Sequence, residues 1–237
     1  MQIEVLSTGS IGNCYRIKTG QTTLLIECGL PYKKIQKLLN FQVSDLDACI
    51  ISHSHGDHAK AVKDLMKAGV TCYTSKGTAE TLDLKGRRLR TFQKTSEDDY
   101  KIEKIKDLLV KPFKAIHDVK ESVNFYIKNT RANESLMFVT DTAYLEYKIP
   151  NIDYLMLECN YIKKVLDENV KNGVLNASLR NRIVNNHMSL ETAKEALKQA
   201  DLSRCKRIYL LHLSDKNSNA YEIKQQVQEL TGCEVWI

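Results

Sequence analysis

Residues 50–62 read IISHSHGDHAKAV and place His53, His55, Asp57 and His58 within six consecutive positions. The chain has six histidines in 237 residues, so half of them stand here. Imidazole binds metal ions through one nitrogen, and a neighbouring carboxylate adds charge and a second donor type. The apolar run DACIIS (47–52) before the motif reads as a buried strand, and HAKAVKDLMKAG (58–69) reads as a helix stopped by Gly69. A turn between them aims His53 and His55 the same way. Asp57 and His58 open the helix, displaced from that pair. One ion on His53 and His55 and a second on Asp57 and His58 is the geometry this order implies.

Such a site needs further ligands, and the chain supplies them after other strand-like runs. His117 follows KPFKAI, Asp141 follows LMFVT, and His212 follows IYLL. Each is a polar group at the end of an apolar segment, where sites in layered α/β folds collect. One such residue alone is ordinary structure; their number, types and positions together point to a metal centre.

Outward from the motif, strand-length and helical patterns interleave. IEVL (3–6), NCYRI (13–17) and TTLLIE (22–27) are joined by glycine-containing turns and predict a small antiparallel meander. PYKKIQKLLN (31–40) predicts a helix with Pro31 at its start. Further strands are expected at 70–74, 108–113, 122–127, 135–140, 153–158 and 207–212. Helices are expected at 189–200, with Ser189 as cap, and over AYEIKQQVQEL, followed by CEVWI as a last strand. The charged stretch 94–107 reads as a surface loop or short helix, and the basic segment 163–187 as a helical pair at one edge of a pocket. With three prolines and no low-complexity linker, residues 1–237 read as one α/β domain.

Composition narrows the setting. The formal charge of +6 leans toward anionic partners without the density of a histone-like chain. Seven scattered cysteines with no C-x-x-C pair argue against a disulfide framework and for a reducing, cytoplasmic compartment. The amino terminus has no leader-like pattern, and no apolar run approaches the ~20 residues that span a bilayer, so no membrane role is expected.

SHSHGDH at 52–58 resembles the H-x-H-x-D-H signature of metallo-β-lactamase fold hydrolases, and His117, Asp141 and His212 fall in the order of that superfamily's remaining ligands. STGSIGNCY, LECNY (157–161), SLRNRIVNNHMS and LLHLSDKNS resemble the YycJ-like (WalJ-like) small hydrolases, relatives of the transfer-RNA 3′-processing endonucleases. The resemblance implies a four-layered αββα sandwich with two divalent ions. His53, His55 and His117 would hold the first, Asp57, His58 and His212 the second, and Asp141 would bridge them. It further implies His187 as general acid, supported by Glu158. Glu27 stands where aspartate is usual in the family. No insertion corresponds to the arm that grips transfer RNA, and Asp141 is not the cysteine of the two-zinc β-lactam-cleaving enzymes.

Two divalent ions lower the pKa of a shared water toward ~7 and clamp phosphoryl oxygens, and an acid outside their shell assists an alkoxide leaving group. The expectation is therefore a phosphodiester hydrolase that uses this activated hydroxide, a DNA exonuclease in the first instance, with Asp57, His187 and Glu158 as the catalytic set. Arg180, Arg182, Ser214 and Asn217 are candidate substrate contacts, with Lys163 and Lys164 on the same basic segment. Histidine and carboxylate suit zinc best, with manganese the alternative. Three other readings stand beside it: a cyclic nucleotide phosphodiesterase, a glyoxalase-like thioester hydrolase, and a non-catalytic metal-binding module. Oligomeric state is open, a homodimer included.

Overall fold

A computed structural model describes residues 1–237. Thirteen strands form two mixed sheets flanked by helices. The chain divides into two compact units, one of Met1–Lys114 with Val119–Glu134, the other of Ala115–Asp118 with Ser135–Ile237.

In the first unit, β1 (Gln2–Ser7), β2 (Cys14–Thr19) and β3 (Thr22–Ile26) make the expected antiparallel meander. The β2–β3 turn is Gly20–Gln21, with Gly20 at φ 58°, a left-handed conformation that glycine adopts without a side-chain clash. Beyond β3 the direction changes: β4 (Ala48–Ile50), β5 (Cys72–Thr74) and β6 (Leu89–Thr91) continue the sheet in parallel. Helix α1 (Tyr32–Leu38) enters from Pro31 and buries Ile35 in a cluster with Leu25, Leu30, Ile51, Val62 and Leu65. An antiparallel run of β7 (Glu103–Ile105), β8 (Leu108–Lys114) and β9 (Val123–Asn129) completes the unit's strands.

Two expectations need correction, and two elements are additions. The single helix over 58–69 is two, α2 (Gly56–Ala59) and α3 (Val62–Lys67). The Asp57 carbonyl, which a continuous helix would bond to Ala61 N–H, instead accepts from Asn13 N–H at 2.7 Å, while Ala61 N–H donates to Cys28 O at 2.9 Å. Tertiary partners outcompete the helical ones. The charged stretch at 94–107 contains β7, and its Tyr100 is buried. Helix α4 (Lys76–Thr81) and strand β6 were not anticipated at all.

The second unit is a parallel run of β10 (Ser135–Val139), β11 (Tyr154–Glu158), β12 (Arg207–Leu211) and β13 (Glu234–Trp236). Nearly every residue of β10, β11 and β12 is buried, as expected of parallel strands covered on both faces. Helices α5 (Lys163–Lys171) and α6 (Ala177–Asn186) form the expected pair. Helix α7 (Leu190–Lys198) is capped by the Ser189 hydroxyl, which accepts from Thr192 N–H at 3.1 Å. Helix α8 (Ala220–Thr231) ends on Gly232 at φ 67°. No helix is long and apolar enough to cross a membrane.

Candidate metal centre

Potential ligands stand at or just past the carboxyl ends of parallel strands, where α/β sheets place their sites. In the first unit these are Glu27 after β3 and the 53–58 loop after β4; in the second, Asp141 after β10, Glu158 ending β11 and His212 after β12. Glu27, Asp141 and His212 have positive φ angles of 62°, 32° and 56°. For non-glycine residues that conformation costs about 1–3 kcal/mol, and it gathers where surrounding structure holds a site in place.

In the first unit, His53 Nδ1 lies 2.9 Å from Ser52 Oγ, which turns its Nε2 toward His55 Nδ1 at 3.1 Å. The His58 ring centroid is 4.1 Å from that of His53, and His58 Nε2 is 3.4 Å from Asp57 Oδ2. His53 and His58 are fully buried. Ring nitrogens and a carboxylate held this close suit cation binding, since burying such groups without a cation leaves their polarity poorly compensated.

Glu27 supports this group from beneath. Its Oε1 accepts from Ser52 N–H at 3.1 Å, and its Oε2 lies 3.5 Å from His58 Nδ1. Burial pushes its carboxyl above the ordinary range, opposed by His58 and Ser52. The longer glutamate thus faces the far nitrogen of a histidine, the position that carboxylates behind metal-binding imidazoles take.

In the second unit, donor atoms of Asp141, Glu158, His187 and His212 lie within 4.8 Å of one another. His117 Nε2 is 3.8 Å from Asp141 Oδ2, while its Nδ1 is 3.1 Å from the Asn186 carbonyl. The buried Glu158 carboxylate is pinned on both oxygens. Oε2 accepts from the backbone N–H of Thr142 and Met188, at 3.0 and 3.2 Å; Oε1 lies 2.7 Å from His187 Nδ1 and 3.1 Å from His212 Nδ1. Burial acts to raise the Glu158 pKa, but the two histidines outweigh it and hold the group below its usual range. Burial acts to lower the His187 pKa, and the charge and hydrogen bond of Glu158 reverse this, so His187 is raised. Its side chain keeps 20% of its surface exposed, against none for Glu158.

The candidate substrate contacts differ in placement. Arg182 Nε is 4.0 Å from Asp118 Oδ2, beside His117. Arg180 is engaged with Asp167, its Nη2 2.7 Å from Oδ1. Asn217 is buried and held in its loop: its Nδ2 donates to Ser214 Oγ at 3.2 Å, and its Oδ1 accepts from Asn169 Nδ2 at 2.9 Å. Lys163 and Lys164 line a separate surface hollow among charges of both signs.

Sequence reasoning missed three asparagines that hold the donors. Asn13 Nδ2 lies 3.1 Å from His58 Nε2 and donates to the Asp57 carbonyl at 3.3 Å. Asn160 Nδ2 donates to the His212 carbonyl at 2.7 Å. Asn186 Oδ1 accepts from Asp118 N–H at 2.7 Å. All three lie in the quoted segments STGSIGNCY, LECNY and SLRNRIVNNHMS, and that adjacency to the histidine motifs was the available signal.

Buried clusters of histidine and carboxylate at strand ends, with carboxylates behind the imidazoles, define a metal-dependent hydrolase. The β-lactamase superfamily domain matches residues 22–213, and the chain belongs to that family. Exodeoxyribonuclease WalJ of Streptococcus pneumoniae is 30% identical over 227 residues, covering 90% of this chain and 82% of its own. Exodeoxyribonuclease YycJ of Bacillus anthracis is 25% identical over 228 residues, covering 92% and 84%. The crystal structure of the metallo-β-lactamase fold protein YhfI from Bacillus subtilis matches with a TM-score of 0.75 at 20% identity, covering 99% and 95%. The fold and family expected from SHSHGDH are those found.

Proposed function

We propose that this hydrolase is a divalent-metal-dependent DNA nuclease, an exonuclease, with residues 1–237 working as one catalytic domain. In this reading His53, His55 and His117 hold one ion and Asp57, His58 and His212 the other, with Asp141 shared between them. Zinc is the metal the donor set suits best, manganese the alternative. Bound there, two such ions would acidify water and offset the charge that develops on a phosphoryl group. The names of the WalJ and YycJ relatives support DNA as substrate.

The chain's own residues supply the rest. Glu158 fixes His187 through Nδ1 at 2.7 Å, leaving Nε2 of a part-exposed ring to meet the departing oxygen. There His187 donates a proton, a contribution of about 10²–10⁴-fold for an alkoxide that leaves poorly unprotonated. Glu158 orients His212 by the same oxygen, so one carboxylate sets both the acid and a ligand. Arg182, exposed and 4.0 Å from Asp118, would meet a substrate phosphate. Arg180 would have to leave Asp167 to join it, and the Ser214–Asn217 loop meets substrate through Ser214. The Glu158–His187 pair is the observation that carries the phosphodiesterase reading, because thioesters leave without such an acid.

The test compares two leaving groups. His187→Ala should depress cleavage of a dinucleotide, which expels an alkoxide, by about 10²-fold or more. Its effect on a nitrophenyl ester of a nucleotide should be several-fold at most. Equal losses on both substrates would remove His187 from the acid role.

A further inference from the structure

The first unit has a concave feature that the metal centre does not use. A cavity of about 430 Å³ is lined by Lys63, Met66 and Lys67 of α3 and by Asp83, Leu84, Lys85, Arg87 and Arg88 of the loop between α4 and β6. Five cations and one carboxylate line it: Asp83 is taken by Lys85 at 2.7 Å, and Lys67 lies 4.0 Å from Asp64 of its own helix. Lys63, Arg87 and Arg88 are all exposed, and the charge of Lys63 acts on Asp83 beside that of Lys85. Met66 and the buried Leu84 supply an apolar floor between two charged banks.

The banks are ordered relative to the histidine loop. Helix α3 follows that loop directly, so Lys63 stands five residues past His58 and Lys67 one turn further along. Arg88 marks the amino edge of the sheet: its carbonyl accepts from Cys72 N–H at 2.8 Å, and its Nη1 donates to Thr71 Oγ1 at 3.4 Å. His53 lies past the carboxyl end of β4 in the same parallel set. The residues from Ala48 to His53, at ~3.3 Å each, separate the two edges by about 15–20 Å. Measured along the helix axis, that distance covers about five phosphates of one strand of duplex DNA, at ~3.4 Å of rise each. A single small anion would call for converging, buried donors. Exposed cations on two banks, leading away from the histidine loop, match a polyanion instead.

We propose that this groove binds the phosphate backbone of duplex DNA, holding the polymer while its end lies at the metal centre. The inference rests on the nuclease reading and adds to it a contact set remote from the chemistry, one that selects long substrates over short ones. Sequence spacing alone hid it, because Lys63 and Lys67 are 20 to 25 residues from Arg87 and Arg88.

The experiment uses the full chain and an Arg87→Gln/Arg88→Gln variant. Binding of a fluorescent duplex of about 20 base pairs is measured by anisotropy in chelator across a salt series, so that no cleavage intervenes. Turnover of a nucleotide nitrophenyl ester is measured separately with metal. The variant should bind about tenfold more weakly at low salt, and the slope of log K against log salt should shrink by roughly 1.8, for two lost phosphate contacts. The small ester should turn over unchanged. Equal duplex affinity for both proteins would overturn the proposal, as would parallel losses on duplex and small ester, or displacement of the duplex by polyglutamate as readily as by unlabelled DNA. Groove-dependent binding by a protein that cleaves no DNA would leave the groove standing and remove the nuclease reading.

Discussion

At the level of single residues, the site depends on side chains that bind nothing and on one that is absent. Gly29 has no room for a methyl group: a Cβ there would sit 1.6 Å from the Asp57 carbonyl oxygen and 2.8 Å from His58 N. Both contacts are backbone, which cannot swing aside as a side chain can. Gly29→Ala should therefore push the Asp57–His58 turn outward. We expect a loss of about 1–3 kcal/mol or more in stability and weakened metal uptake, read from denaturant midpoints and from metal content after dialysis. An unchanged metal content would mean that the turn tolerates the shift. The histidines themselves were legible in the sequence, because a scarce residue type concentrated at one strand end leaves few structural explanations. Asn13, Asn160, Asn186 and Ser52 were not. Their role is to hold particular nitrogens and carbonyls, and an asparagine near a motif looks the same whether it holds a ligand or a turn.

At the level of elements, the second unit's parallel strands are tied together at their amino ends by a buried carboxylate. Asp153 Oδ2 accepts from Ser135 N–H at 2.9 Å and from Arg204 Nη2 at 3.0 Å, and Lys206 Nζ is 3.6 Å from Oδ1. Burial alone would raise its pKa, but the Ser135 hydrogen bonds and the two cations outweigh it and hold it low. A carboxyl lowered on folding stabilises the fold fully above its unfolded pKa of ~3.9, and this stability drains away as the pH falls through the lower folded value. Asp153→Asn should thus cost about 1–3 kcal/mol at pH 7, and the gap to the wild type should narrow below about pH 4. Urea midpoints across that range read the effect, and a constant gap would contradict it. The long apolar strands β10, β11 and β12 were readable because continuous burial writes a continuous apolar run. Strand β6 was not, since its three residues carry no periodic signal and its pairing with β5 comes from the chain around it. The break between α2 and α3 was hidden for a related reason: Asn13 and Cys28, far away in sequence, take the peptide groups a continuous helix would have used.

At the level of the whole molecule, the histidine and carboxylate donors come from segments as far apart as residues 53 and 212, and the family match over 22–213 spans them all. Under the proposed nuclease function, these donors hold metal in order to cleave DNA. The most direct check loads the purified protein with zinc or manganese, counts bound metal, and offers it end-labelled duplex DNA beside 3′,5′-cyclic mononucleotides, with Asp57→Ala as the control. We predict about two divalent ions per chain and progressive shortening of the DNA that stops on chelation. Asp57→Ala should fold normally and leave the DNA intact. Turnover of the cyclic nucleotides alone, or DNA cleavage that survives both chelation and Asp57→Ala, would contradict the account.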